Sequence, residues 1–208
     1  MEDGKRDSDG TVGLGGHTDV PVDESKKAFI QKPGALKIYD GALSPEFCDE
    51  LMKVFEAGTD QHEVHNDGIM SFVQYNYTLH NSKDEVHGRL MSHLGELFRQ
   101  YLNDLGTGLH IKLSGFEQLR IKRYTADTDD KFDIHVDVTD HASAIRAVAF
   151  LFYLNDSDGN TDFPLQQLGV EPKKGRVVIF PPSWEYPHLG NKVTKNDKYI
   201  MSTYLHYA

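Results

Sequence analysis

The chain has a single cysteine, Cys48, so it can form no internal disulfide. Its stability must come from a packed core, and this usage suits a reducing compartment. Long apolar runs are also missing. No stretch approaches the roughly 18 residues needed to cross a bilayer. The start, Met1-Glu-Asp-Gly-Lys-Arg-Asp-Ser-Asp, lacks the apolar segment of a secretory signal. These features predict a cytoplasmic protein with no membrane partner. Basic charge is in short supply. The 22 Lys and Arg against 32 Asp and Glu leave a net charge of −10, which argues against a nucleic-acid backbone as the main partner. The one local basic cluster, Lys173, Lys174 and Arg176, reads as a solvated turn.

At 208 residues the chain is long enough for one domain with a substantial core plus an extension. Residues 1 to 28 are rich in Gly, Asp, Ser and Thr and read as a flexible tail, leaving residues 29 to 208 as a single domain. Ser44-Pro45 opens a helix, with Ser as N-cap and Pro at the first helical position. Phe47, Leu51, Val54 and Phe55 form its apolar stripe and Gly58 ends it. Cys48 lies beside that stripe and is expected in the core. A second helix is expected to start at Ser82, with Glu85 completing a capping box, and to stop at Gly106. Between the helices, Ile69 to Leu79 reads as a strand. The segment around His62 and His65 reads as a polar loop.

From residue 115 the pattern changes to short strands: 118–124, 132–138, 145–154, 177–180 and 199–207. Asn155-Asp-Ser-Asp-Gly159 and Lys173-Lys-Gly175 are turn signals. Helices first and strands after predict an α+β protein, mainly β, with a sandwich or barrel supported by helices.

The chemistry concentrates in Phe132-Asp-Ile-His-Val-Asp-Val138. Residues two apart on a strand share a face, so His135 and Asp137 project together, away from Ile134, Val136 and Val138. An imidazole and a carboxylate on one face, completed by a distant second histidine, are the ligand set of a non-haem Fe(II) site. By itself this spacing also fits a polar strand face in water.

Further on come Arg146-Ala-Val-Ala-Phe-Leu-Phe-Tyr-Leu-Asn155, Gly159-Asn-Thr-Asp-Phe-Pro164, Val170-Glu-Pro-Lys-Lys-Gly-Arg-Val-Val-Ile-Phe180, Pro187-His188 and the closing strand Lys198 to His206. In this order and spacing, residues 116 to 206 resemble the prolyl 4-hydroxylase-like branch of the Fe(II)/2-oxoglutarate dioxygenases. The resemblance implies a double-stranded β-helix, or jelly-roll. It implies His188 as the third iron ligand beside His135 and Asp137. It implies Lys198 as the anchor of 2-oxoglutarate, with Tyr124 and Tyr153 bonding the co-substrate carboxylates. Strand parity agrees for Lys198, which shares a face with Ser202 and Tyr204 while Tyr199, Met201 and Leu205 face the core. By residue type alone, Lys198 would be a surface lysine and the two tyrosines packing residues.

Arg146 and Tyr204 occupy positions that can touch substrate in the family. Alternation puts Arg146 on the face opposite Tyr153, so that role requires a bulge. The sequence departs from the pattern between Tyr124 and Phe132, which lacks a usual glycine and is longer, and at Tyr204, where Trp is common. The implied activity is hydroxylation of an unactivated C–H bond with Fe(II), 2-oxoglutarate and O2, with ascorbate as reductant. The substrate expected first is a prolyl residue of a peptide or protein, and second a free amino acid or other small molecule. A cupin-like metalloprotein without 2-oxoglutarate would need neither Lys198 nor Tyr124. The pattern does not specify an oligomeric state.

Overall fold

The computed structural model describes residues 29–30, 34–106, 108 and 110–208. The expected tail, residues 1 to 28, lies outside them. Among the described residues, helix α1 spans Pro45–Ala57, a short α2 spans Tyr77–Asn81 and α3 spans Glu85–Leu105. The strands are β1 Phe29–Ile30, β2 Lys37–Tyr39, β3 Glu63–Asn66, β4 Met70–Asn76, β5 Leu113–Phe116, β6 Arg120–Tyr124, β7 Lys131–His135, β8 Arg146–Tyr153, β9 Thr161–Phe163, β10 Leu168–Val170, β11 Val177–Phe180, β12 His188–Gly190 and β13 Lys198–Tyr207.

The strands pair antiparallel in the order β1-β2-β11-β8-β13-β6-β4-β7-β12-β9-β10, with β3 added to β4 and β5 to β13. This curled sheet is a double-stranded β-helix, as expected. Alternation sorts its side chains into two cores. Phe150, Phe152, Val177, Ile179, Met201 and Leu205 face outward and bury the apolar stripes of α1 and α3. Their neighbours Ala149, Tyr153, Val178, Phe180 and Ile200 face inward, with Tyr124 and Phe163. The inward face carries the polar groups of the site. The outward face anchors it to the helices.

Helix α1 begins and ends where its sequence predicts. Ser44 Oγ accepts from the Phe47 N–H at 3.2 Å, and Gly58 closes the helix. Cys48 is fully buried, and burial pushes its thiol up to about 12, so it is a packing residue. Helix α3 differs from expectation. Asn76, not Ser82, caps the first short helix, its Oδ1 accepting from the Leu79 N–H at 3.0 Å. Ser82 closes that helix in αR geometry, and Asp84 becomes the N-cap of α3 without a side-chain bond. The local bonding capacity of Asn76 ends β4 three residues before Leu79.

Two further expectations are corrected. His65 lies on strand β3, whose pairing with β4 supplies an order that its polar composition does not signal. Of the Lys173, Lys174 and Arg176 cluster, Lys173 is solvated as expected but the other two are not. Arg176 is buried and binds Asp40 at 2.6 and 3.0 Å, and Lys174 binds Asp49 at 2.6 Å. Asp40 ties the β10–β11 turn to the segment before α1, and Asp49 ties it to α1 itself. Gly175 makes that approach possible. It has φ +80°, and a Cβ there would lie 2.2 Å from the Leu43 carbonyl oxygen.

Candidate active site

Strand β7 ends at His135, and β12 begins at His188. The ladder pairs these two residues directly, which sets their rings 4.2 Å apart. Asp137 follows just beyond the end of β7. Its two oxygens each face one imidazole, with His135 Nε2 3.7 Å from Oδ1 and His188 Nε2 3.7 Å from Oδ2. One ligand atom from each of the three residues lies within 4.8 Å of the others, and among the described residues this is the group with metal-binding geometry.

The far ring nitrogens fix the orientation. His135 Nδ1 lies 2.7 Å from the Asp133 carbonyl and His188 Nδ1 3.2 Å from that of Tyr186. With the proton on Nδ1, both Nε2 lone pairs point at the Asp137 side of the cavity. Phe132 stacks on His135 at 3.5 Å, and Phe163 stacks on His188 at 5.4 Å. Burial, then the neighbouring His188, lowers the His135 pKa to about 4, so that imidazole is neutral and ready to ligate at pH 7. Two imidazoles and a carboxylate facing one point fit Fe(II).

Asp137 is held from behind. Tyr204 donates its hydroxyl to Asp137 Oδ1 at 2.8 Å, and Arg146 donates to the Asp137 backbone carbonyl at 2.8 Å. The Arg146 guanidinium lies 4.1 Å over the Tyr204 ring and forks onto Glu117 at 2.8 and 2.9 Å. The bulge that Arg146 requires is present, because the β13–β8 register shifts so that Leu205 faces Val148 while His206 faces Arg146. Sequence reading missed Glu117. Burial pushes its carboxyl up, but hydrogen bonds from Arg146, His206 and Arg120 bring it down to about 2. Arg120 is three residues along, but Arg146 and His206 reach it from other strands, and no local motif marks that meeting.

At the other end of the cavity lies Lys198, only 1% exposed. Its Nζ donates to the Gly159 carbonyl at 2.9 Å and the Asn191 carbonyl at 3.3 Å, and it lies 4.5 Å over the Tyr124 ring. Among the described residues no carboxylate sits at ion-pair distance from it. Burial lowers its pKa to about 8. A buried ammonium without a counter-ion is costly, and an incoming carboxylate relieves that cost. Tyr124 lines the same cavity. Tyr153 does not. It is fully buried behind the wall, its hydroxyl lacking a hydrogen-bond partner of good geometry, with the cavity residue Thr161 beside it. Lys122 also lines the cavity. Strand parity could have found it, since it lies two residues before Tyr124 on β6.

Residues 119–206 match the model of the 2OG-Fe(II) oxygenase superfamily. Over this stretch the chain is similar to that superfamily. No curated protein matches the chain significantly in sequence. Solved structures do match in fold. A viral collagen prolyl hydroxylase from Paramecium Bursaria Chlorella virus-1, complexed with 2OG, aligns with TM-score 0.64 and 21% identity, covering 85% of this chain and 98% of that one. A Pseudomonas putida prolyl-4-hydroxylase aligns with TM-score 0.67 and 16% identity, covering 85% and 94%. A Trichoplax adhaerens prolyl hydroxylase, complexed with a hypoxia inducible factor peptide fragment, aligns with TM-score 0.66 and 13% identity, covering 84% of each chain. The chain thus shares its fold with these prolyl hydroxylases.

Proposed function

We propose that the protein is an Fe(II)- and 2-oxoglutarate-dependent dioxygenase that hydroxylates an unactivated C–H bond, first of all in a prolyl residue of a peptide or protein. The observation that carries this reading is the pairing of the His135–Asp137–His188 group with a buried, counter-ion-free Lys198 across one cavity. His135, Asp137 and His188 would hold the iron. Lys198 binds the distal carboxylate of 2-oxoglutarate, with the Tyr124 hydroxyl beside it. Tyr153, whose buried hydroxyl has no partner of good geometry beside the cavity residue Thr161, is the second hydroxyl for the co-substrate carboxylates. When bound, Fe(II) and 2-oxoglutarate supply the oxidising power with O2, releasing succinate and CO2. The chain's own residues provide geometry and exclude water. Tyr204 and Arg146 fix the Asp137 carboxylate, and the aromatic stack of Phe132 and Phe163 fixes the imidazoles.

A prolyl substrate is supported by the names of the similar structures, one of which contains a peptide. An extended proline segment is also pre-organised and loses little entropy on binding. Ascorbate is the proposed reductant, the cytoplasm the proposed setting, and a nucleic-acid partner is disfavoured by the acidic charge. The test is to incubate the protein with Fe(II), ascorbate, 2-oxoglutarate and a proline-rich peptide library. Succinate together with a gain of about one oxygen atom on proline supports the reading. Succinate formation with a free amino acid or other small molecule, and none with peptides, moves the substrate to that class.

A further inference from the structure

Lys122 lies on the inward face of β6, between Arg120 and Tyr124. The β13–β6 register sets Tyr124 opposite Lys198, Lys122 opposite Ile200 and Arg120 opposite Ser202. Rungs on one face recur roughly every 6.6 Å along a strand. Lys122 is therefore one rung from the co-substrate end of the cavity, toward Tyr204, whose hydroxyl is on Asp137. Arg120, the next cation on the same face, is already used: it donates to Glu117 at 3.0 Å and Gln118 at 3.2 Å. Lys122 is not. Its Nζ makes no hydrogen bond or ion pair with any described residue and lies 5.2 Å over the Phe72 ring. Burial lowers its pKa to about 8, with Asp137 pulling the other way. Lys122 is half-buried, and an ammonium that lines the cavity with no acceptor among the described residues for its three donors is open to an anion.

Charge counting says where that anion comes from. Iron brings two positive charges and the two lysines one each, against the single negative charge of Asp137. The 2-oxoglutarate dianion neutralises two of the remaining three. One positive charge is left, and it belongs to the lysine that is not the co-substrate anchor.

We propose that Lys122 is a second carboxylate seat in the cavity, binding an anionic group of the primary substrate beside 2-oxoglutarate. This rests on the dioxygenase reading and narrows its substrate class: the oxidised carbon lies within a few bonds of a carboxylate. The carboxylate can be that of a free amino acid, the C-terminus of a peptide, or an acidic side chain next to the target residue. The local cation outweighs the acidic surface, which taken alone would favour basic partners.

The test is anaerobic calorimetry on the Fe(II)-loaded full chain, with and without 2-oxoglutarate. The probes are L-proline against L-prolinamide, glycylproline against glycylprolinamide, and amidated peptides with Pro-Glu against Pro-Gln. The acid member of at least one pair should bind at least about tenfold more tightly than its neutral partner, and which pair does so identifies the source of the carboxylate. Lys122→Met should erase the preference and Lys122→Arg should keep it. Met is close to Lys in volume, and Lys122→Gln serves if the Met variant does not fold. Affinity for 2-oxoglutarate should change less than about threefold in Lys122→Met and fall at least about tenfold in Lys198→Met. The proposal is overturned if no acid is preferred in any pair, if the preference survives Lys122→Met, or if Lys122→Met weakens 2-oxoglutarate as much as Lys198→Met. Failure of the dioxygenase reading looks different: the wild-type Fe(II) protein would not bind 2-oxoglutarate at all.

Discussion

The Tyr204 hydroxyl donates to Asp137 Oδ1 at 2.8 Å. The carboxylate that completes the metal-binding group is thus oriented by a residue 67 positions away on the last strand. Removing this bond should leave the ring, and the Arg146 stack on it, in place. Tyr204→Phe is expected to weaken Fe(II) binding about tenfold, the lower end of what outer-shell partners contribute. Metal titration of the purified variant checks this. Unchanged affinity would show that Arg146 on the Asp137 carbonyl suffices to hold the carboxylate.

Lys198 makes a prediction with a pH sign. Its pKa is lowered to about 8 by burial, so it is charged below that pH and neutral above it. The kcat/KM for 2-oxoglutarate should therefore fall as pH rises through about 8, because this parameter reports groups of the free enzyme. Bound dicarboxylate favours the ammonium, so kcat should fall only at higher pH. Lys198→Met should remove the alkaline dependence and raise the KM for 2-oxoglutarate, with iron still bound. A pH profile identical in both proteins would free Lys198 from the co-substrate role.

Arg176 tests the scaffold. It is 6% exposed and forks onto Asp40 at 2.6 and 3.0 Å. Arg176→Met leaves Asp40 without its partner and is expected to cost about 3–5 kcal/mol, the range for breaking a buried pair. Denaturant unfolding measures it. The paired change Arg176→Met with Asp40→Leu should recover part of the loss, whereas equal loss in both would place the effect in packing alone.

The elements that sequence pattern revealed are those set by local periodicity. Ser44-Pro45 and Gly58 bound α1 because caps are local chemistry. The inward set Lys198, Ser202 and Tyr204 follows from strand parity, as does the outward set of Met201 and Leu205. The iron-ligand spacing was legible in His135 and Asp137, but their meeting with His188 depends on a ladder that no local rule encodes. The errors share that cause. Asn76 captured a helix start that Ser82 also fitted, and Lys174 and Arg176 looked solvated because Asp49 and Asp40 lie more than a hundred residues away. Glu117 escaped because Arg146 and His206 reach it from other strands. Lys122 was within reach of parity but carries no family motif.

The most direct test of the account is succinate formation from 2-oxoglutarate by the Fe(II)-loaded protein with ascorbate, compared with His135→Ala, Asp137→Ala and His188→Ala. The wild type should form succinate, a chelator should stop it, and each variant should lose at least about a hundredfold along with much of its iron affinity. Absence of succinate from the iron-loaded wild type, or near-normal turnover and iron binding in any one of the three variants, would contradict the account.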